Sequence, residues 1–200
     1  AESQSKQDKQ YYSRNSLRNI RNSRKNWGII EYDMKVLALE KEKQLKQLSD
    51  DILELISECN EIYYSKKQEA LFKTTSEFLK NIPQLSRPIE NRIDMGIFID
   101  AIYKMLYEGS GSLKRIEEFG GKGEEHILLD VKHIRTDFRH DIEHGKPKEL
   151  KRKKVLISKI YKNYAGESTL AKFQKADYAN IQIALLKAVR LFLMNLKKKM

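Results

Sequence analysis

An all-α helical bundle is the fold this sequence predicts, and three observations carry it. Apolar residues return every three or four positions from Ile30 almost to the C-terminus, the spacing of a helix face. No stretch alternates polar and apolar residues well enough to read as a strand, and no internal repeat is present. The 200 residues, 40% of them hydrophobic, suffice for one domain with its own core, built of about five main helices with a long first and a long last one.

Residues 1–29 are expected to form a basic, flexible arm, because Ser, Asn, Lys and Arg dominate them and little could be buried. If RNA ordered this arm as a helix, Arg14, Arg18, Arg21 and Lys25 would share a face, with Tyr11, Tyr12 and Trp27 free to stack on bases. Residues 30–200 then make the single domain. Its first helix runs from Ile30 to about Lys66, where Leu45, Leu48, Ile52, Leu55, Cys59 and Ile62 step by three and four. Cys59, the single cysteine, reads as a small buried thiol and fits a reducing cytoplasm. A second helix is predicted from about Gln68 to Lys80 on Leu71, Phe72, Thr75, Phe78 and Leu79, and Pro83 and Pro88 then hold the connection open. Ile89, Ile93, Ile97, Phe98, Ala101, Ile102, Met105 and Leu106 mark a third, central helix.

Glycines 109, 111, 120, 121 and 123 flank a short segment, Leu113 to Phe119, of one or two helical turns in what reads as the most flexible part of the interior. They match neither phosphate-cradling glycine pattern and no strand precedes them, so the segment reads as a linker, with a flap over the site as the other reading. From His126 to His144 follows one amphipathic helix, stopped by Gly145 and Pro147. A basic run then becomes a helix through Val155, Leu156, Ile160 and Tyr161 to about Tyr164. Ser168 is the expected N-cap of a final helix carrying Leu170, Phe173, Ile181, Leu185, Val189, Phe192 and Leu196.

A formal charge of +11 and a pI near 9.5 point to an anionic partner, either nucleic acid or an acidic membrane surface. The basic segments lack the broad apolar face that interfacial helices use, no apolar run approaches membrane-spanning length, and the N-terminus lacks a signal-peptide core. The reading is a soluble, cytoplasmic chain whose partner is RNA, with no membrane.

All four histidines fall between His126 and His144. Histidine titrates nearest neutral pH, so the clustering points there for chemistry. His126, Asp130, His133, Asp137, His140 and His144 follow one another at helical spacing and form a titratable stripe opposite apolar Ile127, Val131, Ile134, Phe138 and Ile142. The stripe is open to more than one reading. A solvated polar face is one. A metal site is another, since His140-Asp-Ile-Glu143-His144 spells H-x-x-E-H and His133 and Asp137 could add ligands; the zinc peptidases with that motif are larger α/β proteins, and no metal or other cofactor is assigned. RNA cleavage is the third: a neutral-pKa histidine moves protons and a forked arginine stabilises charge on phosphorus without a metal.

Arg139 and His144, with polar His140 directly after the arginine, resemble the R-x(4-6)-H signature of the HEPN superfamily, all-α proteins many of which are metal-independent ribonucleases. Arg135 with His140 also satisfies the spacing, but Thr136 fits the fuller pattern less well. The tyrosine that one toxin branch carries two residues past the histidine is Lys146 here.

The resemblance implies cleavage of single-stranded RNA by its own 2′-OH, leaving a 2′,3′-cyclic phosphate and a 5′-OH. His144 is then the acid/base, Arg139 holds the scissile phosphate and His140 assists. Asp141, Asp137 and Glu143 are expected to orient imidazoles. Lys146, Lys148, Lys151, Arg152, Lys153 and Lys154, six cations against one carboxylate, are expected to track the RNA backbone. Residues five apart on a helix point about 140° apart, so the resemblance further implies a homodimer whose two motifs face one cleft. It also leaves room for a toxin or antiviral-defence role and for an antitoxin or regulatory partner. A non-catalytic helical module binding RNA or protein is the alternative.

Overall fold

The computed structural model describes residues 36–119, 126–139 and 147–200. The chain divides into residues 1–41, of which only 36–41 are described, and a compact unit of residues 42–200. The expected N-terminal arm lies outside the described residues. Among the described residues there is no strand, and six α-helices carry the fold: α1 (36–67), α2 (Ser76–Ser86), α3 (Arg92–Ile102), α4 (His126–Arg139), α5 (Pro147–Ala165) and α6 (Lys175–Lys199). The all-α prediction holds.

The buried seam of α1 is Leu45, Leu48, Ile52, Ile56, Cys59 and Tyr63, while Leu55 and Ile62 sit at its edge. Cys59 is buried as expected, and burial first, with the Glu58 charge adding to it, pushes its thiol up to about 11; it stays protonated and inert.

The second helix departs from prediction. Leu71 and Phe72 are fully buried, but from a non-helical segment, because the Asn60 side chain takes both Phe72 backbone bonds. Phe72 N–H donates to Asn60 Oδ1 at 2.7 Å, and Asn60 Nδ2 donates to the Phe72 carbonyl at 3.0 Å. With its backbone satisfied in this way the segment has no need of a helix. Thr75, predicted as a helix-face residue, is the N-cap: its hydroxyl accepts from Phe78 N–H at 3.2 Å. Pro83 therefore lies inside α2 rather than in an open link.

Asn91 caps α3, its Oδ1 accepting from Ile93 and Asp94 N–H. The helix widens into a π-helical stretch at Tyr103–Glu108. Gly109 closes it, its N–H reaching back five residues to the Lys104 carbonyl at 3.0 Å. A Cβ at Gly109 would collide with the Met105 carbonyl, so only glycine fits. Turns follow through residue 119, pinned by buried Leu113 and Ile116 and by Arg115, which donates to the Leu71 carbonyl at 2.8 Å. That anchoring corrects the expectation of a flexible interior segment for residues 109–119; glycines 120, 121 and 123, where a flap was the other reading, lie outside the described residues.

Helix α6 begins at Lys175, not after Ser168, because Leu170–Lys172 forms a 3-10 turn and Gln174 with Asp177 makes a capping box. Ile181, Leu185, Leu186, Val189 and Leu193 run through the core. An 18-residue window of α6 has a mean hydropathy of 1.3, enough to cross a membrane by length and composition, but 44% of that window is buried inside the fold, and Lys187 and Arg190 interrupt the apolar run.

Gln182, also on α6 and fully buried, accepts from Ile89 N–H at 3.1 Å and donates to the carbonyls of Leu85 and Arg87. It is the hydrogen-bond partner for the chain passing Pro88. Gln182→Leu is expected to cost about 3 kcal/mol in chemical denaturation, because the three backbone groups are left buried without partners.

Candidate active site around helix α4

Helix α4 has an apolar face and two charged flanks. Ile127, Leu128, Val131 and Ile134 enter the core, with Phe138 packed at its edge against Gly96 of α3. One flank carries Lys132, Arg135 and Arg139 toward α3 and the π-helical stretch. The other carries Asp130, His133 and Asp137 toward α5. The titratable stripe predicted from the sequence is therefore, in its described part, an interhelical seam rather than an open face.

On the α5 side, the Tyr164 hydroxyl donates to Asp130 Oδ2 at 2.9 Å and the Tyr161 hydroxyl to Asp137 Oδ2 at 2.7 Å. Burial first, and then the neighbouring carboxylate charge, raises both phenols, so they remain neutral donors. Asp137 thus has a structural partner in addition to any role with an imidazole. His133 lies half-buried beside them. Its pKa is lowered, by burial first and also by the cations Lys132 and Lys153, against the opposing pull of Asp130.

A histidine whose folded pKa lies below its unfolded value takes up protons preferentially in the unfolded chain. Its contribution is present above the unfolded value, about 6.5, and is lost as pH falls below it. The melting temperature should therefore fall between pH 7.5 and 5.5, and His133→Gln should flatten that fall.

On the α3 side the centre is Asp100, which is buried at 7% exposure. It accepts from Arg135 Nε at 2.9 Å and pairs through its other oxygen with Arg139 Nη2. Arg135 stacks 4.1 Å above the Tyr103 ring. Tyr103 stacks in turn on Tyr107 at 4.8 Å, and Lys132 both caps that ring at 5.0 Å and donates to its hydroxyl at 2.9 Å. Arg139, the last residue of α4, keeps 58% of its side chain exposed while one edge of its guanidinium is fixed by Asp100. Arg135 is mostly covered, at 27%.

Asp100 was not among the predicted site residues. Its signal is present in the sequence all the same: one carboxylate inside Phe98-Ile99-Asp100-Ala101-Ile102 is a charge that must find a partner once buried.

His140, Asp141, Glu143, His144 and Lys146 lie outside the described residues, so of the predicted catalytic set only Arg139 is placed here. Among the described residues no three His, Cys, Asp or Glu side chains gather as a metal ion requires. Of the predicted RNA-binding cations, Lys148, Lys151, Arg152, Lys153 and Lys154 are all exposed on the first turns of α5. Of the residues expected on its apolar face, Ile160 and Tyr161 turn inward, while Val155 and Leu156 are exposed among the cations and Ile157 takes an inward place. A groove of about 370 Å³ between α1 and α2, lined by Leu53, Ile56, Tyr64 and Phe78, contains none of the predicted residues. No protein-family model, curated protein or solved structure matches this chain.

Proposed function

We propose that the chain is a metal-independent endoribonuclease of the HEPN type, acting as a homodimer on single-stranded RNA. The observation that carries the reading is Arg139: an exposed guanidinium at the end of α4, held on one edge by a buried carboxylate and with its remaining N–H donors open to a ligand. The all-α frame and the exposed cations opening α5 support it. In this reading the 2′-oxygen attacks the adjacent phosphorus and the bond to the 5′-oxygen breaks. His144 takes the hydroxyl proton and a second imidazole, His140 or the partner's, protonates the leaving oxygen. Arg139 stabilises the charge that develops on the phosphoryl oxygens. The products are a 2′,3′-cyclic phosphate and a 5′-OH, and a cytoplasmic toxin or defence role, with an antitoxin or regulatory partner, belongs to the same proposal. Cleavage by the parent chain, lost in Arg139→Ala and His144→Ala, tests it.

One observation favours a second reading. Asp100 partly neutralises Arg139, and the run of exposed cations lies on α5 rather than around the arginine. A non-catalytic RNA-binding module has that arrangement, and its binding would survive both substitutions with no cleavage by the parent.

A further inference from the structure

The α5 cations are not the only basic surface the fold builds. Lys132, Arg135 and Arg139 occupy successive turns of one flank of α4, and a rise of about 1.5 Å per residue spreads them over roughly 10 Å of axis. Against them stand Tyr107, Tyr103 and Asp100, in the same order. Each cation is thereby held before any ligand arrives: Lys132 by a ring and a hydroxyl, Arg135 by a ring and a carboxylate, Arg139 by the same carboxylate.

Long cationic side chains normally lose rotamer freedom when they grip a phosphate, and much of that loss has already been met here by folding. Asp100 removes one charge and the three cations leave a net +2 on the ledge. Of the other acids nearby, Glu77 is engaged by Lys80 and Lys104, and exposed Glu108, whose charge reaches the Tyr103 phenol, offsets part of the remaining positive charge. Arg135 uses its Nε on Asp100 and Arg139 its Nη2, so each guanidinium keeps other donors.

We propose that this ledge, Lys132–Arg135–Arg139 over Tyr107 and Tyr103, is the track on which the RNA strand runs away from the scissile phosphate. Arg139 holds that phosphate, and Arg135 and Lys132 hold the backbone beyond it. The inference rests on the ribonuclease reading for its direction along the strand. Its binding surface is tested without cleavage.

The test uses the full chain and a short fluorescent, fully 2′-O-methylated oligoadenylate, which cannot be cut by its own 2′-OH. Anisotropy titrations across salt concentrations give the slope of log K against log salt, which for a single strand changes by about 0.7 per phosphate contact. Lys132→Ala is expected to weaken binding several-fold and to flatten the slope by about that amount. Lys132→Arg is expected to restore both, and Lys187→Ala, an exposed cation on α6, to change neither. Lys132→Ala also removes the bond to the Tyr107 hydroxyl, so thermal melts run beside the titrations establish that the variant is folded at the assay temperature. Parent-like affinity and slope in Lys132→Ala overturn the track, and if the parent still cleaves RNA, the ribonuclease reading stands without it. A flattened slope in a chain that never cleaves supports the track and removes the enzyme. A parent that binds no oligonucleotide overturns both.

Discussion

Replacing Arg139 by alanine is expected to lower RNA cleavage by roughly a hundred- to a thousand-fold, the usual effect of removing a donor that stabilises developing charge. The fold should barely register the change. Arg139 is more than half exposed, and an ion pair with that much water around one partner contributes little, about 1 kcal/mol or less. Arg139→Lys separates charge from geometry: lysine keeps the positive charge but presents a point where arginine presents a fork. If the fork positions the phosphate, Lys should recover only a small part of the lost rate. His144→Ala is expected to match Arg139→Ala in single-turnover cleavage, because both act in the same transition state and not in substrate binding alone. Full activity in either alanine variant would remove that residue from the mechanism.

Asp100→Asn has the second-largest expected effect, and it should appear in two measurements at once. Asp100 is buried and serves two guanidiniums, so the amide leaves Arg135 partly covered with no counter-charge. Breaking a fully buried pair costs more, but both arginines reach water, and about 2 kcal/mol is the expected loss. In a chain of this size that lowers the melting temperature by roughly 4–8 °C. Cleavage should fall as well, measured well below the melting transition, because Arg139 loses the contact that orients it. Asp100→Glu keeps the charge at a changed reach and should lie between the two. Unchanged melting and unchanged cleavage in Asp100→Asn would show that the carboxylate does not position the arginine.

What was legible in the sequence follows from where each element's partners lie. The helices α1, α5 and α6 are long, and their own three- and four-residue spacing declares them. The second helix was misplaced because Leu71 and Phe72 bury themselves without one. Their backbone is satisfied by Asn60, twelve residues from Phe72, and spacing alone cannot report that. Helix α6 starts late because Phe173 is needed outside it, wedged between the rings of Tyr161 and Tyr178.

The site divides in the same way. Arg139 and the exposed cations of α5 could be picked out by residue type and spacing. The pairing of Asp130 with Tyr164, of Asp137 with Tyr161, and of Arg135 and Arg139 with Asp100 could not, since each crosses between helices more than twenty residues apart in sequence. Lys132, Arg135 and Arg139 share helical spacing in the sequence beside the histidine stripe, but the rings and the carboxylate that hold them lie on α3 and the π-helical stretch.

The measurement that bears most directly on the central claim is cleavage of an end-labelled single-stranded RNA by the purified chain in excess EDTA, with the new ends identified. The account predicts cutting that persists in the chelator, 2′,3′-cyclic phosphate and 5′-OH ends, and loss of both in Arg139→Ala and His144→Ala variants that melt like the parent. An inert chain in EDTA that becomes active with added zinc or manganese, or one that leaves 5′-phosphate ends, would contradict it.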